Sequence, residues 1–168
     1  YRCDIDLFRT ALELLGARAR LTHDHEHQGI FMTTTASSDG QRYLHLLNLD
    51  GYDKCFRVYE DGVPLFDGRE LWLQSKDGVM LPLQVVYDDV RIVYSTAEVL
   101  SHSPDVLEFR LTQPSDVIVL ESRRQVLPSS SYSVTREGSR TVIRSLQHAK
   151  VNDKLTVSLV SKKEKELK

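Results

Sequence analysis

The stretch IFMTTTASSDGQRYLHLLNL, residues 30–49, contains two strand candidates joined by a turn. Residues 30–35 and 43–49 are rich in β-branched, aromatic and aliphatic side chains, which favour extended backbone. Asp39-Gly40 lies between them and supplies a glycine that accepts the positive φ of a tight turn. Strands joined by so short a connection pair antiparallel, because parallel neighbours need a crossover of about a dozen residues or more.

The same Asp-Gly pattern recurs along the chain. Asp61-Gly62, Asp67-Gly68 and Asp77-Gly78 also place a glycine between apolar stretches. Further strand candidates in this half are residues 18–25, 55–59, 70–73, 79–86 and 90–94. After Gly16 there is no room for crossover helices between strands. The sequence therefore predicts a mainly β protein made of antiparallel β-sandwich modules.

One segment, residues 6–15, has helical periodicity, and Gly16 follows it where a left-handed C-terminal cap belongs. One apolar face is formed by Ile5, Phe8, Leu12 and Leu15. The apolar surface is widened by Leu7, Ala11 and Leu14. Such a helix is normally enclosed on several sides, so we expect part of it to be exposed or covered by another copy of this chain.

The strand pattern breaks around residues 95–105, where Ser101, Ser103 and Pro104 interrupt the apolar alternation. A second set of strand candidates follows at residues 106–111, 117–120, 132–135, 141–145 and 155–160. We therefore predict two modules. Residues 1–99 form the N-terminal helix and an antiparallel sandwich, and residues 100–168 form a smaller β module with a charged tail.

Composition narrows the classes of partner. The 168 residues carry a formal net charge of -2, which gives no bulk attraction to nucleic acid or to an anionic membrane. Residues 79–86, the longest apolar run, fall far short of the roughly 20 needed to cross a bilayer. We therefore expect neither nucleic acid nor a membrane as partner.

Two cysteines, Cys3 and Cys55, are too few for a disulfide framework and favour a reduced, cytoplasmic setting. The chain begins at Tyr1 without a methionine or a recognisable signal peptide, which we interpret as part of a longer polypeptide.

Three phrases in order resemble the strand-rich region that follows the catalytic barrel in bacterial β-galactosidases of glycoside hydrolase families 35 and 42. They are HDHEHQG at residues 23–29, YLHLLNLD at 43–50 and EDGVPLFDG at 60–68, within a likeness that spans residues 4–99. The resemblance implies a non-catalytic accessory region that supports the barrel or the oligomer of a parent enzyme hydrolysing β-galactosides. It implies two partners, the catalytic barrel of the parent chain and further copies in a homo-oligomer.

No catalytic residue carries over from that family, whose acid and nucleophile are glutamates of the upstream barrel. Retaining glycosidases need two carboxylates about 5 Å apart, whereas the acidic residues here fall mostly in turns and on solvent faces. Cys55 reads as a small packing residue in an alternating strand. Phosphate-binding loops and dinucleotide fingerprints are absent from the sequence, so we expect no cofactor.

The histidines His23, His25 and His27 would share one face of a strand, where three imidazoles could in principle hold zinc. Alternate residues of a strand are about 6.5 Å apart, however, and zinc needs bonds of about 2 Å to every ligand. A polar strand end is the simpler interpretation, and we predict no metal site.

Four aromatic residues could stack on the apolar face of a sugar ring, namely Trp72, Tyr59, Tyr52 and Tyr87. Trp72 alternates with Leu71 and Leu73, so it faces away from them, either into a second core layer or out as an exposed platform. A carbohydrate-binding β-sandwich module is therefore the alternative function. With one Trp and 8% aromatic residues, the accessory region is favoured over it.

Overall fold

The computed structural model describes residues 7, 10–12, 14–16, 19–26, 29–146 and 150–161. The strands in these ranges are β1 Leu21–His23, β2 Ile30–Ala36, β3 Arg42–Asn48, β4 Lys54–Phe56, β5 Val58–Glu60, β6 Val63–Pro64, β7 Leu71–Leu73, β8 Gly78–Tyr87, β9 Val90–Ser95, β10 Glu98–Ser103, β11 Val106–Arg110, β12 Val117–Ser122, β13 Gln125–Val126, β14 Tyr132–Glu137, β15 Arg140–Ser145 and β16 Lys154–Val160. A short 3-10 turn, Phe66–Gly68, separates β6 from β7.

Seven of the described strands form one central sheet, in the order β14-β15-β12-β9-β8-β3-β2. Every neighbouring pair in it runs antiparallel. The predicted fold class, mainly β with antiparallel sandwich packing, is confirmed.

The central sheet buries side chains on both faces. One face is covered by two small sheets, β1-β5-β6 and β4-β7, and the other by the sheet β10-β11-β16-β13. We name the two apolar layers the first core and the second core. The first core includes Leu44, Phe56, Leu71, Leu81 and Val119. The second core includes Ile92, Phe109, Ile118, Leu120 and Val157.

Strand β8 contributes side chains to both cores because one residue within it has a left-handed backbone conformation. Leu83 belongs to the first core and Val85 to the second, although alternate residues of a regular strand share a face. Gln84 between them has a φ of 61°, in the left-handed region. That residue turns the end of β8 toward the second core.

The central sheet runs across the predicted division into residues 1–99 and 100–168, and that division stays a prediction. Strand β9 pairs with β12 in the register Val119↔Tyr94, and β10 itself spans the predicted boundary. The two predicted halves supply different outer layers but share one central sheet. The sequence did not predict strand β10 because its last four residues are exposed and mostly polar. They lack the apolar alternation that marks a strand.

The predicted strand at residues 55–59 is divided into β4 and β5, which join different sheets. The break falls at Arg57, whose N–H donates to Asp24 Oδ1 at 2.6 Å and whose carbonyl accepts from the Asp24 N–H at 3.3 Å. A local pattern of apolar residues does not reveal this long-range bond.

The Asp-Gly turns behave as predicted at three of the four positions. Gly40, Gly62 and Gly68 have φ values of 85°, 81° and 74°. Gly78 does not have positive φ, so the expectation was wrong there. It is needed for close packing instead, since a Cβ would lie 3.2 Å from Leu47 Cδ1.

Helical backbone is found inside the predicted N-terminal helix, and Gly16 has the expected positive φ of 79°. Leu7, Ala11 and Leu14 are exposed, as expected. Leu12 and Leu15, predicted on the enclosed face, are also exposed, which corrects that assignment. The other two residues of that face, at positions 5 and 8, lie outside the described residues. None of the helical backbone in the described ranges is long and apolar enough to cross a membrane.

Candidate functional site

The four aromatic candidates lie at separate places in the fold. Tyr87 ends β8 beside the second core, where its hydroxyl hydrogen-bonds the Tyr43 hydroxyl at 2.5 Å. Its ring stacks on His102 with 4.1 Å between centroids. Burial and the Tyr43 hydroxyl together raise the pKa of Tyr87. One face and the hydroxyl of this ring are therefore occupied within the protein.

Tyr59 and Tyr52 are placed on the side of the first core. Tyr59 is half-buried in β5, between its cross-strand neighbours Thr22 and Pro64. Tyr52 is 47% exposed, and the Lys54 ammonium lies 5.3 Å from the centre of its ring. That cation occupies one face of the Tyr52 ring.

Trp72 lies in the middle of β7, opposite Cys55 of β4. Leu71 and Leu73 on either side of it are buried in the first core, so the Trp72 side chain points outward and is half-buried. The alternation seen in the sequence is thus resolved in favour of the outward position. Trp72 lines a surface cleft of about 310 Å³ together with Cys55, Glu70, Gln113, Pro114 and Ser115.

The backbone of Trp72 is held in place by the side chain of Gln113. The Trp72 N–H donates to Gln113 Oε1 at 2.6 Å, and Gln113 Nε2 donates to the Trp72 carbonyl at 3.0 Å. A side-chain amide offers the same donor and acceptor as a peptide group. Gln113 therefore takes the place of a neighbouring strand along this edge of β7.

Gln113 is fixed in turn by the buried carboxylate of Asp116. Asp116 Oδ2 accepts from the backbone N–H groups of Thr112 at 2.9 Å and Gln113 at 3.0 Å. Its Oδ1 accepts from the Thr96 hydroxyl at 2.7 Å. Burial raises the pKa of Asp116 to about 6, against the lowering effect of these three donors. The chain of bonds from Asp116 through Gln113 makes the Trp72 backbone rigid.

The cleft combines an aromatic ring with polar groups suited to hydroxyl ligands. Glu70 and Trp72 are alternate residues of one extended segment, so their side chains leave the backbone on the same side. Glu70 is exposed and forms no ion pair with any described residue. Ser115 also lines the cleft and supplies a hydroxyl group. An aromatic face beside hydrogen-bond acceptors and donors can accommodate a sugar ring.

Sequence reasoning selected Trp72 but missed the groups that hold it. Gln113 is 41 residues away from Trp72 in the chain. Pro114-Ser115 lies between two predicted strands, where its sequence indicates a turn. The only local signal was a polar, proline-containing segment between two strands.

The structure describes part of the histidine segment, residues 23–27, for which we predict no metal site. His23 lies in β1 with its ring 5.9 Å from that of Phe56, and burial is the largest cause of a lowered pKa of His23. Position 27 lies outside the described residues. Among those that are described, no group of three or more His, Cys, Asp or Glu side chains is arranged to hold a metal ion. The expectation of no metal stays a prediction.

No protein-family model and no curated protein sequence matches this chain.

Proposed function

We propose that this chain is a non-catalytic accessory region of a β-galactosidase-like glycoside hydrolase, where it supports the catalytic barrel or the oligomer. Two of the sequence segments that resemble such enzymes contribute buried residues to the first core. Residues 43–50 contain most of β3, with Leu44 and Leu46 in the first core. Residues 60–68 contain β6 and the 3-10 turn, with Phe66 buried. This placement supports a scaffolding role.

The exposed leucines of the helical segment are the observation that carries this proposal. Leu7, Leu14 and Leu15 are 72%, 84% and 82% exposed, although the strands of the chain form two apolar cores. Burying one such side chain is worth about 1.5–3 kcal/mol. Clustered leucines in water therefore favour contact with another protein surface. In the proposed enzyme that surface belongs to the catalytic barrel.

The proposal is tested in the enzyme that carries this sequence, with Leu7→Gln and Leu14→Gln combined. We expect a lower melting temperature of the barrel and reduced hydrolysis of a chromogenic β-galactoside, because the docking surface becomes polar. Leu100→Gln is a matched control, since Leu100 is 52% exposed on β10. Equal effects of the helical pair and of the control would contradict the docking role.

The second candidate function is carbohydrate binding at the Trp72 cleft. The observation that favours it is the outward Trp72 ring beside the free Glu70 carboxylate. Trp72 is the only tryptophan of the chain, so its fluorescence reports on this cleft alone. Titration with galactose-containing oligosaccharides should change the emission of the wild-type chain and have a weaker effect in Glu70→Gln. Glu137→Gln, on a distant strand, should behave as wild type. No emission change at millimolar sugar would exclude this candidate.

We also place the protein in the cytoplasm as part of the proposal. The free, exposed thiol of Cys55 supports a reducing compartment, where such a group persists without forming mixed disulfides.

A further inference from the structure

A second cleft lies at the rim of the second core and shares no lining residue with the Trp72 cleft. It forms where the end of β12, the β14–β15 turn and the end of β16 meet, and its volume is about 580 Å³. Its lining includes Ser122, Arg123, Arg124, Arg136, Ser139 and Ser161. Asp89 is the one acidic residue among the described groups that line it. We name it the arginine cleft.

Arg124 is already neutralised within the protein. Its Nε lies 2.9 Å from Asp89 Oδ1, and its terminal nitrogen lies 2.9 Å from Asp105 Oδ1. The same nitrogen donates to the Pro104 carbonyl. Asp88 adds a further negative charge nearby. Arg124 and these carboxylates therefore form a structural ion-pair cluster that closes one side of the cleft.

Two other arginines of the same sheet also have acidic partners. The register Glu121↔Arg140 and Glu121↔Arg91 places a carboxylate between two guanidinium groups. The Glu121 oxygens lie 3.6 Å from Arg91 and 3.4 Å from Arg140. The Glu121 carboxylate is therefore engaged within this row, where it offsets one of the two positive charges.

Arg123 and Arg136 differ from these three arginines. Both are exposed and line the cleft, and neither guanidinium group forms an ion pair or a hydrogen bond with any group in the described part of the chain. Ser139 and Ser161 supply hydroxyl donors on the same walls. The one acid of the lining, Asp89, is engaged by Arg124. The cleft therefore presents uncompensated positive charge surrounded by hydrogen-bond donors.

We propose that the arginine cleft binds a tetrahedral oxyanion, a sulfate or phosphate group, through Arg123 and Arg136. A guanidinium group donates two parallel hydrogen bonds to an oxyanion, and two such groups match the three or four oxygens of a tetrahedral ion better than the two of a carboxylate. None of the described residues that line the cleft is aromatic or aliphatic, so the anionic group itself is what the cleft recognises. The site is independent of the proposed accessory role.

Binding is measured by isothermal titration of the chain with inorganic sulfate and inorganic phosphate, at an ionic strength held constant with chloride. The wild type should bind in the millimolar range, and Arg123→Gln combined with Arg136→Gln should weaken binding at least tenfold. Arg91→Gln combined with Arg140→Gln is the matched control and should bind as wild type. Melting curves establish that each variant is folded.

Two further arms complete the test. Arg123→Lys and Arg136→Lys keep the charge but remove the paired donors, so binding weaker than wild type supports geometric recognition even if the glutamine variant fails to fold. A sulfated monosaccharide compared with its unsulfated parent shows whether the group is recognised free or on a sugar. Equal affinity in the wild type and the Arg123/Arg136 variants, or sulfate binding no tighter than chloride, would overturn the proposal.

Discussion

At the residue scale, the main feature is one carboxylate, Asp116, which organises the loop that positions Trp72. Its side chain is inaccessible to solvent and accepts three hydrogen bonds, two of them from consecutive backbone N–H groups. A buried charge without a cation is costly unless donors compensate it. Asp116 is therefore a structural group whose effect reaches the surface through Gln113.

Replacing Asp116 with Asn should reduce the free energy of unfolding by about 1–3 kcal/mol, because an amide nitrogen cannot accept a hydrogen bond, whereas either oxygen of the acid, protonated or ionised, can. Urea unfolding at about pH 5 measures the change. Asp61→Asn is the control, since Asp61 lies exposed in a turn with a φ of 51°, which asparagine tolerates. A loss at Asp116 no larger than at Asp61 would contradict the structural role.

Asp116 also predicts how the free energy of unfolding changes with pH. Its pKa is about 6 in the folded protein against 3.8 as the ordinary value, so the folded state holds the proton more tightly. The resulting stabilisation is complete below about pH 4 and is lost as the pH rises to about 6, a change on the order of 3 kcal/mol. The difference in unfolding free energy between wild type and Asp116→Asn should therefore fall across this window. A rise instead would mean that the three donors outweigh burial.

At the element scale, the strands that the sequence predicts are those whose apolar residues face a core. The β2–β3 hairpin matches its prediction because both strands carry β-branched or aliphatic residues and Asp39-Gly40 fits the turn between them. The division at Arg57 and the polar strand β10 were not predictable locally. The first depends on a bond to Asp24 and the second on pairing with β11, and both are tertiary contacts.

Gly29 lies in the connection before β2 and has a φ of 105°. A Cβ there would overlap the Asp50 carboxylate, which cannot move freely because Lys54 Nζ lies 2.5 Å from Asp50 Oδ2. Gly29→Ala should lower the unfolding free energy by about 2–4 kcal/mol, from backbone strain together with the clash. Gly40→Ala should cost only about 1–2 kcal/mol, since its φ is also positive but no atom lies within 4 Å of the added Cβ. Thermal or urea melts compare the two, and equal losses would exclude the Asp50 contact as a cause.

At the scale of the whole molecule, the central sheet joins the two cores. Strand β12 sends Val119 into the first core and Ile118 into the second, so neither core can lose its packing without disturbing the other. The sequence led instead to two modules, because the polar edge strand β10 looks like a linker. The position of Trp72 was accessible from its alternation with two leucines, whereas Gln113 and Asp116 join the site only through the folded sheet.

A shared sheet predicts one cooperative unfolding transition. Urea curves followed by Trp72 fluorescence, which reports on the first-core side, should coincide with those followed by far-ultraviolet circular dichroism, which reports on all strands. Separate midpoints for the two probes would show that the predicted modules unfold independently.

We propose that this chain is part of a β-galactosidase-like enzyme without supplying its catalytic groups. Hydrolysis of a chromogenic β-galactoside tests it most directly, measured for the purified 168-residue chain and for the longest native polypeptide that contains this sequence. We predict turnover by the longer polypeptide and none by the 168-residue chain. Turnover by the chain that disappears on changing a single Glu or Asp, or a longer polypeptide without glycosidase activity, would contradict the account.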